Sequence, residues 1–241
     1  MTDGAKPAAE ISGYTQLRSY RYERKFLVEE LLPSQVIALV RQHPLLFYAP
    51  YPPRQVNSLY LDTIDMENYF DNVSGAEIRR KVRLRWYGSA TGEIRSPMLE
   101  IKVKQGHVGK KISYRIADFT LDECFCDRVF QAVADRSNLP TVVRDDLHTL
   151  SPVLLNCYQR GYYATRDDDF RVTIDSQQIF WKVNMALCNP LLHRQKNARD
   201  VIVELKYEIE HEAKADRAAG YIPFRVTRNS KYVQGIERVY F

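Results

Sequence analysis

Apolar and polar side chains alternate along much of this chain. Alternation over five or more residues predicts β-strands, because successive side chains on a strand leave opposite faces. The clearest stretches are residues 20–28, 56–62, 81–87, 98–104, 111–116, 154–165, 170–175, 201–209 and 224–228. Elsewhere the apolar spacing turns helical. Pro33-Ser34 opens a helix reaching about His43, with Val36, Leu39 and Val40 on one face. Residues 65–72 read as a short helix ended by Gly75, 121–135 and 142–150 as a helical pair, and 210–219 as a helix stopped by Gly220. Connections are short, with no repeat or low-complexity tract. Residues 1–15 read as a flexible N-terminus and 16–241 as one domain. The class is α+β with many antiparallel strands, since helical crossovers are too few for a doubly wound sheet.

The polar faces of these strands are unusually charged. Lys81, Arg83 and Arg85 share one face, opposite Val82, Leu84 and Trp86. Three cations in a row repel, so an anion must compensate them. The same design puts Glu100, Lys102 and Lys104 together, and Glu204, Lys206 and Glu208. It also groups Arg21, Glu23 and Lys25, then Arg171, Thr173 and Asp175, then Tyr158, Arg160 and Tyr162, although Arg24 interrupts the apolar side of its strand. A sheet with one face in water accounts for any one of these strands. Six repetitions favour an inside-out antiparallel barrel, with charged faces lining a wet tunnel and apolar faces packed outward against helices.

Such a lining suits a linear polyanion. Arg grips phosphate oxygens in a planar fork, and Lys supplies compact charge. The interspersed Glu residues are poor phosphate contacts but suitable ligands for Mg²⁺ or Mn²⁺.

The ordered set of segments resembles the triphosphate tunnel metalloenzyme superfamily, which includes the CYTH proteins. It is most similar to the VTC domain, the catalytic domain of the eukaryotic vacuolar transporter chaperone polyphosphate polymerase. The matching segments are 22–26 (YERKF), 58–63 (SLYLDT), 81–88 (KVRLRWYG), 99–102 (LEIK), 158–160 (YQR), 171–175 (RVTID), 203–206 (VELK) and 230–232 (SKY). The wider superfamily carries Glu-x-Glu-x-Lys on its first strand. Here Arg21 replaces the first Glu, which counts against a two-metal triphosphatase and suits the VTC branch.

The resemblance implies transfer of the ATP γ-phosphoryl group to a growing polyphosphate chain with Mn²⁺ or Mg²⁺. It implies catalytic roles for Lys25, Arg83, Arg85, Lys102 and Lys206, and phosphate binding by Lys111, Arg160, Arg171, Ser230 and Lys231. Lys110 is the alternative to Lys111 if the register there slips. Glu204 matches the metal-binding Glu. Glu23 and Glu100 are secondary choices, for metal binding or for orienting the cations. The alternatives are a CYTH-type hydrolase of inorganic or organic triphosphate, and a sensor that binds triphosphate or polyphosphate without turnover. The partners are then ATP or triphosphate and polyphosphate, with no nucleic acid and with a membrane protein as a possible acceptor of the product. No SPX sensor domain is read in these 241 residues, so regulation and translocation do not carry over.

Bulk composition changes this picture little. Net charge is only +5, so distribution rather than total charge carries the reading. No apolar run reaches membrane-spanning length and no signal-peptide pattern is present, so the expectation is a soluble, cytoplasmic chain. Cys124, Cys126, Cys157 and Cys188 form no CxxC pair and read as reduced core thiols, the first two on a helix. His107 reads as a hairpin-turn residue, and His43, His148, His193 and His211 as surface residues. Asp167-Asp168-Asp169 reads as a solvated turn, and residues 194–199 as a basic loop. Most of the sixteen tyrosines fall beside apolar strand residues, and Trp86 and Trp181 read as outer-face core.

Overall fold

The alternating segments pair into one antiparallel sheet. The computed structural model describes residues 21–106, 108–186 and 189–241. The N-terminal stretch, His107 and Cys188 therefore lie outside the described residues. The strands are β1 (Arg21–Val28), β2 (Tyr48–Asp62), β3 (Ile78–Tyr87), β4 (Gly92–Ile94), β5 (Met98–Gln105) and β6 (Val108–Arg115). They continue with β7 (Phe119–Leu121), β8 (Ser151–Ala164), β9 (Phe170–Val183), β10 (Leu191–Asn197) and β11 (Val201–Glu208). The helices are α1 (Pro33–Arg41), α2 (Glu67–Ser74), α3 (Asp127–Arg136), α4 (Thr141–His148), α5 (Glu212–Gly220) and α6 (Lys231–Tyr240).

The main sheet runs β1-β11-β9-β8-β2-β3-β5-β6, with β10 beside β9. It is strongly curled. β1 and β5 stand six strand spacings apart, about 29 Å in a flat sheet, yet Lys102 Nζ on β5 lies 3.7 Å from Glu23 Oε2 on β1. The expected barrel is nevertheless not closed, because no ladder among the described residues joins β1 to β6. The free edge of β1 is taken by the segment before α6. There Thr227 N donates to Lys25 O at 2.8 Å, and Val226 bridges Phe26. Residues 224–228 thus make one isolated bridge rather than the expected strand.

Apolar faces turn outward, as the alternation predicts. Val82, Leu84, Trp86, Leu99 and Ile101 pack beneath α3 and α4, with Trp181 at the margin. Phe26, Val172, Ile174, Val203 and Leu205 pack beneath α1 and α5. The anomalous Arg24 also points outward. Its guanidinium lies over the Tyr207 ring and pairs with Glu212 at 2.9 Å and Asp216 at 2.6 Å on α5.

The C-terminal helix α6, absent from the expected elements, packs on the inward face. Tyr232, Ile236 and Val239 meet Tyr60, Leu154 and Phe180 there. The contact is so close that a Cβ on Gly235 would lie 2.4 Å from Leu154 Cδ2 and 2.8 Å from Phe180 Cδ1. Asp62 ties this helix to α2, accepting from Asn68 N at 2.9 Å, Tyr69 N at 3.0 Å and the Tyr232 hydroxyl.

Other expectations need correction. Cys124 and Cys126 sit between β7 and α3, not on a helix, and Cys124 is exposed because the chain there is a surface turn. Cys157 is buried, and burial pushes its thiol up to about 12. His43 is buried rather than on the surface. Its Nδ1 accepts from Leu45 N at 3.1 Å, so Nε2 carries the proton and donates to Ala218 O at 2.9 Å. Most of the expected basic loop is strand β10, because its backbone pairs with the far half of β9.

Candidate functional site

Period-two geometry delivers the expected cations to the concave face of the curl. On β3 these are Lys81, Arg83 and Arg85. The register places Glu100 of β5 opposite Arg83, and Glu100 supplies the anion that this row requires. Its Oε2 accepts from Arg83 Nε at 2.8 Å and Nη2 at 2.6 Å, and lies 3.6 Å from Arg85 Nη1. Its Oε1 accepts from Lys111 on β6 at 2.5 Å. Lys111, not Lys110, is therefore the inward residue of that strand. Burial alone would raise the Glu100 pKa, but Arg83, Arg85 and Lys111 hold it well below the usual carboxylate range. Tyr60 and Tyr158 complete the row, accepting from Arg83 Nη1 at 3.2 Å and Arg85 Nη2 at 3.1 Å.

A second hub forms on β8, β9 and β11. Arg160 makes a two-pronged contact with Asp175, Nε and Nη2 each at 2.6 Å from a carboxylate oxygen. Lys231, at the start of α6, reaches the same carboxylate at 2.6 Å. Glu204 stands beside this pair. It lies 3.2 Å from Lys25, 3.1 Å from Lys206, 3.8 Å from Arg160 and 4.0 Å from Lys231. Burial works against both charged carboxylates. For Glu204 that cost is outweighed by Lys25, Lys206, Lys231 and Arg160, and for Asp175 by Arg160 and Lys231, so both stay below their ordinary values. Lys25 is correspondingly raised, since Glu204 and Glu23 outweigh its burial.

Glu23 links the two hubs, 3.4 Å from Lys25 and 3.7 Å from Lys102. Arg171 is the outlying member. It is partly exposed and pairs with Asp168 in the β8–β9 turn. Ser230 caps α6, accepting from Val233 N at 3.4 Å and from Lys81 Nζ at 2.8 Å. The structure thus adds Asp175 and Lys81 to the residues the resemblance implies. Both were visible in the pattern, on the same faces as Thr173 and Arg83, but neither belongs to a matched role.

Lys81 has no carboxylate partner among the described residues, in contrast to Lys25, Arg83 and Lys102. Lys25 on β1, Lys102 on β5, and Arg83 and Arg79 on its own strand surround it. Burial and then these like charges push it down to about 7. A phosphate placed there favours the charged form. Binding of inorganic tripolyphosphate above pH 7 should therefore take up a proton, and affinity should fall by up to about tenfold per pH unit. Calorimetry in two buffers of different ionisation enthalpy measures this uptake. Lys81→Arg, charged throughout, should abolish it.

The described helices include none long and apolar enough to cross a membrane. A comparison with curated proteins found no match. Among solved structures, a Bacillus halodurans protein described as a candidate adenylate cyclase is 14% identical, with a TM-score of 0.50 over 92% of this chain and 98% of its own. A Pyrococcus horikoshii protein is 11% identical, with a TM-score of 0.50 over 90% of this chain and 99% of its own. At these identities the similarity speaks for the fold alone. The VTC domain family matches residues 20–240, nearly all of the described chain. With its charged concave face and outward apolar cores, the chain belongs to the VTC domain family.

Proposed function

We propose that this protein is a polyphosphate polymerase that transfers the γ-phosphoryl group of ATP to the end of a polyphosphate chain. The observation that carries this reading is the concave lining itself. Lys25, Lys81, Arg83, Arg85, Lys102, Lys111, Arg160, Lys206 and Lys231 outnumber Glu23, Glu100, Asp175 and Glu204. Phosphoryl transfer needs little covalent chemistry and depends on positioning and charge neutralisation. Arg83 and Arg85 would hold the transferring group between the hubs, and Lys25, Arg160, Lys206 and Lys231 the rest of the polyanion. A terminal phosphate oxygen of the acceptor attacks the γ-phosphorus, the bond to the β-phosphate oxygen breaks, and ADP leaves.

Each lining carboxylate is already engaged by cations, which leaves none free as a general base. That favours an acceptor whose oxygen arrives already ionised over water, which must lose a proton. Buried Ser58 Oγ, Asn156 Oδ1 and Arg85 Nε lack partners on neighbouring inward strands, which also speaks for a polar ligand.

A divalent cation fits in one way only. Among the described residues no three His, Cys, Asp or Glu side chains converge, so a cage made of protein alone does not fit. One carboxylate sharing the ion with substrate phosphates does. Glu204, with the Thr173 hydroxyl 3.5 Å away, would hold it. Glu100 fits less well, because Arg83 and Lys111 hold its oxygens at 2.5 to 2.8 Å, whereas no cation lies nearer than 3.1 Å to Glu204. The bound ion would neutralise charge on the phosphates.

The purified protein should convert ATP with Mn²⁺ or Mg²⁺ into polyphosphate chains, resolved by gel electrophoresis. Release of free phosphate alone would make it a hydrolase. Triphosphate binding without turnover would make it a sensor.

A further inference from the structure

The inward cations give way to aromatic residues at one end of the lining. Along β3 the series Lys81, Arg83, Arg85 continues to Tyr87. Along β8 the series Tyr158, Arg160 continues to Tyr162. Between these strands lies β2, on which Arg54 stands opposite Arg160 and Tyr51 opposite Tyr162. The three strands are neighbours in the order β8-β2-β3, so these residues make one patch. The Arg54 guanidinium lies 5.0 Å from the centre of the Tyr87 ring, 5.1 Å from Tyr162 and 5.7 Å from Tyr51. Tyr51 and Tyr162 meet edge to face at 6.3 Å.

Three features separate this patch from ordinary packing. Tyr51 is 58% exposed and Tyr87 52% exposed, so open ring surface remains. Arg54 pairs with no carboxylate among the described residues, in contrast to Arg83 and Arg160 in the hubs. The patch is also continuous with the phosphate-binding rows, since Tyr87 follows Arg85, and Tyr162 follows Arg160, by two residues. That spacing is about 7 Å along a strand. The opposite end of the same faces is filled by α6 against Tyr60, Leu154 and Phe180. The lining therefore runs from an apolar plug, through cations, to an open rim of tyrosines around one arginine. A nucleoside triphosphate has the matching order, with polyanion at one end and a flat aromatic base at the other. Tyrosine faces and arginine both stack on bases, with little preference among them.

We propose that Tyr51, Arg54, Tyr87 and Tyr162 form a base-stacking site at the mouth of the tunnel, which holds the base of the nucleoside triphosphate whose phosphates the cations take up. This rests on the ATP reading proposed above and adds the residues that hold its base. Stacking tolerates any base, so GTP and ATP bind alike.

Binding titrations with ATP, GTP and inorganic tripolyphosphate test it on wild type, Tyr87→Ala, Tyr51→Ala and Tyr87→Phe. Each Ala variant should lose at least about fivefold in affinity for ATP and GTP, the lower limit for removing a stacking ring. Tripolyphosphate affinity should stay within twofold in all variants, which also reports an intact fold. Tyr87→Phe keeps the ring and should bind ATP as wild type does. Unchanged ATP affinity in both Ala variants, or equal losses for ATP and tripolyphosphate, overturns the rim site while leaving the phosphate site standing. Failure of wild type to bind any of the three ligands overturns both readings.

Discussion

Asp175→Asn should lower the unfolding free energy by about 3–5 kcal/mol, the range for removing one partner of a buried ion pair. Asp175 is fully buried on β9 and neutralises two cations from different parts of the chain, Arg160 on β8 and Lys231 on α6. Asparagine keeps the shape but leaves both cations without full counter-charge in a low-dielectric interior. The loss should be shared with α6, whose first residue is Lys231. Urea unfolding in phosphate-free buffer measures it, and a loss under about 1 kcal/mol would show that Asp175 is not what pins the helix. Added tripolyphosphate should restore part of the stability, because it brings the missing negative charge. The wild-type pair also has a pH signature. Burial opposes the charged carboxyl, but Arg160 and Lys231 hold its folded pKa below the ordinary value. Its contribution is therefore full above about pH 4. It is lost only as pH falls through the lower folded value.

Arg83→Ala should reduce turnover by about 100- to 1000-fold, the usual loss when one preorganised charge-stabilising group is removed. Arg83 is held at the centre of the β3 row by two contacts to Glu100 and one to Tyr60. Its removal leaves Glu100 still paired with Arg85 and Lys111. No carboxylate is orphaned, so the melting temperature should stay close to wild type while kcat collapses. This contrast with Asp175→Asn separates a residue that handles substrate from one that holds the site together. Arg83→Lys should not restore activity, because an ammonium lacks the fork that meets Glu100 and a phosphate at once. Retained turnover in Arg83→Ala would remove Arg83 from the reaction.

Much of the site could be read before folding because a strand exposes its own geometry. Side-chain direction alternates locally, so the clustering of Lys81, Arg83 and Arg85, or of Glu204 and Lys206, follows from sequence spacing alone. The outward cores follow in the same way from Val82, Leu84 and Trp86 and their counterparts. The helix α6 went unread although Ser230 caps it and Tyr232, Ile236 and Val239 share one face. A ten-residue segment containing Gly235 carries a weak helical signal, and it folds here because the sheet buries that face.

The residues by themselves determined most strands of the main sheet and the charged face of each, though not β10 or the single bridge at Val226. Only the tertiary structure decided which carboxylate answers which cation. Glu100 with Lys111, Asp175 with Lys231, and Glu23 with Lys102 are partners joined by register and curl, and neither is a local property. The open edge between β1 and β6 was likewise beyond the alternation, because the segment before α6 competes for β1. So was the isolation of Lys81. Three cations on one strand look equivalent in sequence, but a single glutamate reaches two of them and leaves the third facing other positive charges.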